Sequence, residues 1–275
     1  MVALAIPTTA LATPRPRPAA AAGPVPAGWA LAGRSSRPTG VAGQGLATTA
    51  TGGSARISYR GSWSIPFRLR LGGWDHVGDP DAAGGYVFDA YQSSTRPEKL
   101  YEVTTPSGAR YDHLHALVPG EAANNSFAAV SPDGRWLVSG EWGPMSRLLV
   151  FPTPLLNPTT PRAGGPLPLA GTVALDDPVA DLQGCDFVAS TTLLCSSNAP
   201  GKLVVRIDLR DPLGTGPATA TVSPVFSVPQ ESACSGVYET EGIDIDPVDH
   251  DLRVEMIPPA PCSVATTIYH YLPAG

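Results

Sequence analysis

Long apolar runs are missing from this chain. No stretch approaches the ~20 residues that a helix needs to cross a bilayer, so no membrane span is expected. Basic residues are also scarce: 18 Lys and Arg against 24 Asp and Glu leave a net charge of -6. A surface that tracks phosphates needs a basic stripe, and nucleic acid is therefore excluded as a partner. Several chemical signatures are absent as well. No GxSxG elbow offers a serine nucleophile and no HExxH places two metal-binding histidines on a helix. No CxxC spacing suits zinc. The acidic run Asp244, Asp246, Asp249 and Asp251 lacks the spacing and terminal glutamate of an EF-hand loop, so it reads as a solvated turn.

What is present in quantity is glycine and proline, 29 and 31 of 275 residues, with 43% apolar residues. That composition suits many short strands joined by turns, with a core large enough for one β-rich domain. Residues 1–12, MVALAIPTTALA, are apolar and close on Ala10, Leu11 and Ala12, a pattern that signal peptidase cuts, although a basic start is lacking. They read as the remains of a signal peptide or as an alanine-rich tail. Residues 13–43 are rich in Pro, Ala, Gly, Arg and Ser without apolar periodicity, and read as a disordered linker. The domain is expected over 44–275, in a secreted, monomeric protein.

Within that domain one pattern of roughly seventeen residues restarts at Gln44, His76, Ser126, Gln183 and Glu241 without a gap. Repetition of strand, turn and strand at this scale predicts an all-β chain folded as a β-propeller. Second strands are expected in YVFDAY, RWLVSG, LLCSS and LRVEMI. Third strands are expected from Lys99, Arg147, Lys202 and Thr267, and outer strands in RYDHLHAL, PLAGTVAL and ATATVSPVF. The restarts lie 32, 50, 57 and 58 residues apart. The first blade should therefore be short, and the last should lack an outer strand unless the N-terminal region supplies one. Five blades follow, with six as the alternative.

The run SFAAVSPDGRWLVSG resembles the SPDG-strand signature of TolB-like and WD40-like propellers. The QG and EG pairs at repeat starts resemble secreted propellers of the lactonase and strictosidine-synthase-like type, and the chain from Gln44 resembles uncharacterised secreted bacterial propeller proteins. The lactonase resemblance implies calcium on the axis, held by a glutamate with Asn or Asp. Glu241 with Gly242 matches the Glu-Gly element and Asn124 or Asn125 would supply amides, whereas Gln44, His76 and Gln183 depart from an oxygen-rich shell.

Four cysteines permit three pairings. In a hairpin turning at Ser190, Cys185 and Cys195 face one another, which leaves Cys234 for Cys262; free buried thiols are the alternative. The first strand of each propeller blade lines the channel, so Gln44, His76, Asn125, Ser126, Gln183 and Glu241 are the expected channel-lining residues. Their polarity suits either a ligand or a wet channel wall. Glu241 and His76 are the candidate catalytic pair. Asp79, Asp186 and Asp244, each three residues into its repeat, are expected to accept hydrogen bonds from neighbouring turns. His113 and His115 share one face of an outer strand, which suits surface or interblade packing. Trp74 and Trp142 could form an aromatic wall for sugar stacking. Three functions remain open: a module binding a small molecule, glycan or protein; a lactonase-like hydrolase or lyase, with a divalent metal such as calcium; and a scaffold that carries the proline-rich tail.

Overall fold

A computed structural model describes residues 28–51 and 53–274. The expected signal peptide and the linker residues 13–27 lie outside the described residues. Along the chain run β1 (Trp29–Pro38), β2 (Gly45–Thr51) and β3 (Ser54–Arg60), then a one-turn helix α1 (Phe67–Leu71). The next repeat holds β4 (His76–Val77), β5 (Asp81–Ala83), β6 (Tyr86–Gln92), β7 (Glu98–Thr104) and β8 (Arg110–Ala116). It is followed by β9 (Ala129–Val130), β10 (Trp136–Ser139), β11 (Pro144–Pro152), β12 (Gly165–Pro166) and β13 (Gly171–Ala180). The last two repeats hold β14 (Leu182–Ala189), β15 (Thr192–Ser197), β16 (Leu203–Leu209) and β17 (Gly216–Ser227), then β18 (Glu239–Ile245), β19 (Leu252–Ile257) and β20 (Ala265–Pro273). The chain is all-β, and the expected second, third and outer strands form where the β-branched and aromatic runs stand.

Each repeat is an antiparallel meander. The β2–β3 hairpin has no further strand, as the short first spacing predicts, and β12 adds in parallel to the edge of β8. Two meanders, β9-β10-β11-β13 and β14-β15-β16-β17, join through parallel pairing of their outer strands β13 and β17 into an eight-stranded sheet. The inner strands close a cycle: β2 packs on β5, β5 on β9, β9 on β14, β14 on β18 and β18 on β2. Apolar clusters fill the spaces between neighbouring meanders, around Phe127 and Leu148, around Tyr101 and Phe151, and around Val254 and Tyr269. Each such fully buried aromatic contributes ~1.5–3 kcal/mol of transfer free energy.

Turn chemistry sets the register. Between β9 and β10 the Ser131 hydroxyl donates to Asp133 Oδ1 at 2.6 Å, and Gly134 takes φ +70° as its N–H donates to the Ser131 carbonyl at 2.7 Å. Only glycine adopts that φ without steric cost. In the β14–β15 hairpin Cys185 and Cys195 are direct partners with Cα atoms 4.0 Å apart, and they form a disulfide. Cys234 and Cys262 form the second.

The segment expected as linker needs correction over its second half. Residues 29–38 form β1, which pairs antiparallel with β20 from Trp29 opposite Pro273 to Pro38 opposite Ala265. It completes the last meander as a fourth, outermost strand, and the folded domain begins before Gln44. Eight of its ten residues are exposed, so the strand is held by its backbone ladder rather than by an apolar face. A strand without a buried face has no periodic apolar signal to read.

A chain beginning at Gly43 would leave the β20 edge unpaired. At ~1 kcal/mol net for each lost ladder bond, it should unfold several degrees lower than the full chain and associate through the bare edge, as read by thermal unfolding and light scattering.

Candidate functional site

The repeat starts stand where each inner strand begins, at the same end of the cycle. There Gln44, His76, Ser126, Gln183 and Glu241 line one cavity of about 330 Å³, together with Gln92, Asn124, Trp142 and Glu239. Strand pairing brings Gln92 in, since it lies opposite His76 in the β4–β6 register. Glu239 enters because it is two residues before Glu241 and shares its side of β18. Both signals were open to the sequence, one through pairing and one through alternation. Trp142 is 45% exposed and stands at the rim.

Directly inward of this ring, three of the repeat starts are followed by glycine. A Cβ on Gly45, Gly184 or Gly242 would collide with the carboxyl of Asp79, and one on Gly78 with the carbonyl of Ser126. Asp79 is fully buried. Its Oδ1 accepts the Leu46 N–H at 3.0 Å and its Oδ2 the Ile243 N–H at 3.2 Å. Its own N–H donates to the Ser126 carbonyl at 2.8 Å, and its carbonyl accepts from Ala128 at 2.9 Å. Asp79 therefore touches all five meanders at the level of the glycines that follow the repeat starts.

The other repeated carboxyls do similar work between neighbours. Asp186 Oδ2 accepts from Ile245 N at 2.7 Å, and Asp244 Oδ1 accepts from Thr48 N at 2.8 Å. Asp81 Oδ2 takes the Val130 N–H at 2.5 Å. Each carboxyl reaches from one inner strand to the backbone of the next. Burial raises Asp79 and Asp186 well above the usual carboxylate range, Asp81 to about 7 and Asp244 to about 6.

Three expectations change at this level. Asn125 does not line the cavity: it is fully buried, donating to the carbonyls of Tyr91 and Leu100 at 3.3 Å and accepting from Ser139 Oγ at 2.9 Å. Its neighbour Asn124 faces the cavity, because successive residues of an extended segment point oppositely. The acidic run around Asp244 is a solvated turn only at Asp249; Asp244 and Asp246 are buried and Asp251 is half-buried. Arg253, only 6% exposed, donates to Asp244 Oδ2 at 3.0 Å and to Asp246 Oδ2 at 2.6 Å, and lies 3.3 Å from Asp251. Burial pushes Asp246 up, yet its hydrogen bonds from Arg253, Val248 and Asp249 hold it below the ordinary value. Trp74 is buried against Leu69 and Val77 beneath the Arg96 guanidinium and borders a separate depression of about 360 Å³ with Ser94 and Thr95, so it forms no wall with Trp142. His113 and His115 are buried in packing between meanders. The His115 ring meets Phe151 edge-on at 4.8 Å, and its Nε2 donates to Glu121 Oε2 at 2.8 Å, while Lys99 Nζ lies 2.8 Å from Glu121 Oε1.

At the ring itself, Glu241 is 2% exposed, and its Oε1 has no hydrogen-bond partner among the described residues. Burial, then the nearby Glu239 and Glu255, raise its pKa well above the ordinary value. Burial lowers His76. The donor set does not suit calcium: the oxygens of Asp79 take N–H donors, Asn125 is turned away, and Glu241 is held toward its neutral form. Among the described residues no three His, Cys, Asp or Glu side chains are grouped to hold a metal.

Comparison with known proteins adds little. No protein-family model matches the chain. A stretch of 103 residues, 38% of the chain, is 31% identical to Poly(U)-binding-splicing factor PUF60 of Homo sapiens and spans 18% of that protein. A chain of the crystal structure of the mitotic checkpoint complex aligns over 96% of this chain and 99% of its own length, at 10% identity and TM-score 0.33.

Two stability measurements test this interior. Arg253→Met removes the countercharge of the buried Asp244 and Asp246, leaving only their bonds from Thr48, Val248 and Asp249, and should cost ~3–5 kcal/mol in denaturant unfolding. For the pH dependence, carboxyls raised in the folded state stabilise fully below their unfolded pKa near 4 and lose that contribution as pH rises through the folded value. The lowered His76 and His113 act the opposite way below about pH 6.5. The lowered Lys99 and Lys202 do so as pH rises toward the unfolded lysine value of about 10.4, two bases against six raised acids. The melting temperature should thus fall between pH 7 and pH 8.5; a flat or rising profile would count against the buried acids.

Proposed function

We propose that this chain is a secreted five-bladed β-propeller that binds a small polar ligand in the cavity at the mouth of its axis. The blade count rests on the closed cycle of five inner strands, with β1 as the outer strand of the last blade and the β2–β3 hairpin as a blade of two strands. Five is preferred to six because the twenty strands among the described residues can be assigned to five units, with β12 as an addition to the edge of β8. Secretion is part of the reading: two disulfides are compatible with an oxidising compartment.

The observation that carries the binding reading is the Glu241 carboxyl, nearly fully buried, lacking a partner on Oε1, and lining a cavity built by equivalent residues from five strands. A buried acceptor without a partner carries an unmet desolvation penalty of ~1–3 kcal/mol. A ligand donor would remove that penalty. The volume lies at the small end of the range for ligand pockets.

A second reading, a lactonase-like hydrolase or lyase, draws on one fact: a raised glutamic acid and a lowered histidine line the same cavity, which is an acid and base pairing by environment. Calorimetric titration with a panel of lactones, neutral sugars and amines separates the two. Binding without turnover, weakened at least tenfold by Glu241→Gln while the melting temperature stays within about 2 °C, is the expected result. Lactone turnover abolished by His76→Ala would favour the enzyme. Equal affinity of wild type and Glu241→Gln for every ligand in the panel would remove the cavity from consideration.

A further inference from the structure

The lining of the cavity carries acidic groups and no strongly basic ones. No lysine or arginine contributes to it, while Glu239 and Glu241 both do. The amide nitrogen of Gln44 is spent on the Gly43 carbonyl at 2.5 Å, and that of Asn124 on Ser126 Oγ at 3.0 Å. The Gln183 and Gln92 amides, the His76 ring and the Trp142 indole keep donors, so what sets the lining apart is its sign of charge: two carboxyl groups and the Gln44 amide oxygen with no lysine or arginine beside them. A group that is all donor and carries positive charge complements such a lining.

The surface around the cavity has a second property. Loops that end on the mouth face are those joining an outer strand to the next inner strand and those joining second to third strands. Of the ten large apolar side chains that are exposed among the described residues, seven stand on these loops. Trp63, Phe67 and Leu71 are 71%, 75% and 74% exposed on the segment between β3 and β4. Val41 and Val264 neighbour them, since Trp63 N–H donates to the Gly40 carbonyl at 2.9 Å and Thr39 N–H to the Val264 carbonyl at 3.1 Å. Val237 precedes β18, and Trp142 stands at the cavity rim. Scattered exposed apolar residues are ordinary, but concentration on one face marks a docking surface.

The cations of this face are occupied. Arg68 pairs with Glu102 and Asp112, and Arg96 with Glu98. Arg70 donates to the carbonyls of Ile65 and Ser62, and Lys202 to Asn198. No basic residue on these loops is left to attract anionic headgroups, which argues for a polypeptide rather than a lipid surface.

We propose that the mouth face docks an apolar polypeptide segment of a partner protein that inserts one cationic side chain, a lysine ammonium or an arginine guanidinium, into the cavity. The inference rests on the cavity being a ligand site and names what fills it. Apolar residues flanking the cation would lie on Trp63, Phe67 and Trp142, and the cation would meet Glu241 and Glu239. Because Glu241 is held toward its neutral form by burial and by Glu239 and Glu255, with Lys202 opposing and a neutral His76 also lining the cavity, seating a cation displaces its proton.

Fluorescence anisotropy with labelled synthetic nonapeptides tests this on the full chain. One peptide carries a central lysine between leucine and phenylalanine residues; the others replace lysine by arginine, norleucine or glutamate, or replace the flanks by serine. Lysine and arginine peptides should bind at least about tenfold more tightly than the norleucine and glutamate peptides, and tighter at pH 8 than at pH 6. Glu241→Gln should abolish both the preference and the pH dependence, and Trp63→Ser with Phe67→Ser should weaken only the apolar-flanked peptides. Equal binding of the norleucine peptide would overturn the cation seat, and equal binding of the serine-flanked peptide would overturn the apolar surface. Binding of neutral sugars in the cavity with no binding of any cationic peptide would overturn this inference while leaving the cavity a ligand site; no binding of either would remove both. Co-sedimentation with phosphatidylcholine vesicles in the absence of peptide binding would also overturn it.

Discussion

One buried side chain, Asp79, touches all five inner-strand units, and the packing around the axis is arranged about it. Asp79 bonds to β2 through Leu46, to β18 through Ile243 and to the strand entering β9 through its own backbone, and it packs against the glycine that opens β14. The glycines after three of the repeat starts exist because of it: any side chain there would occupy the volume of the carboxyl. The conformational freedom of those glycines is secondary, since it is close approach that the position demands. Two levels follow from this one contact, a ring of polar residues above and a packed, apolar ring of interfaces around and below.

Placing carboxyls in the interior has an electrostatic consequence. Asp79, Asp81, Asp244, Glu241 and Glu255 are buried, Asp186 is half-buried, and all six are raised. Backbone N–H groups offset part of the desolvation for the four aspartates, and Arg253 supplies countercharge for one of them. A bound divalent ion could fill this role in another protein, but here a guanidinium occupies it, with its planar donors matched to Asp244 and Asp246. That arrangement leaves the two glutamates without comparable partners. Glu255 has none on either oxygen, and Glu241 has none on Oε1, among the described residues. Of the two, only Glu241 lines the cavity.

What was legible in the sequence and what was not divide along a physical line. Phase was legible: the ungapped restarts put Gln44, His76, Ser126, Gln183 and Glu241 at one cavity, and the position of Ser190 between two cysteines gave the register of a hairpin. The structural role of the aspartates three residues into a repeat was legible for the same reason. Features that depend on an irregular backbone were not. Asp81 performs the same bridging as Asp186 and Asp244 but stands two residues late, because β4 and β5 are interrupted at Gly78, Asp79 and Pro80. The inward turn of Asn125 depends on which residue of an extended segment faces the axis, a parity that the repeat start alone leaves open. β1 escaped because it is held mainly by backbone pairing, with only Trp29 packed against a core cluster and no periodic apolar face. Arg253 escaped because its three aspartate partners come from other positions on the hairpin, and a run of acids read alone gives no sign of the cation opposite it.

The order of the cycle bears on the choice between binding and catalysis. Going round the axis, the unit of Gln44 stands between those of Glu241 and His76, so the acid and the base of the cavity belong to units that are not neighbours. Proton transfer between a bound substrate and both groups requires hydrogen-bond reach to each, directly or through one water. A ligand against one wall meets Glu241 beside Gln44 and Gln183, or His76 beside Gln44 and Ser126, and one that meets both ionisable groups bridges the unit of Gln44. On the binding reading proposed above, a single cationic group engages the Glu241 carboxyl and the Gln44 amide oxygen, which the cycle places in neighbouring units.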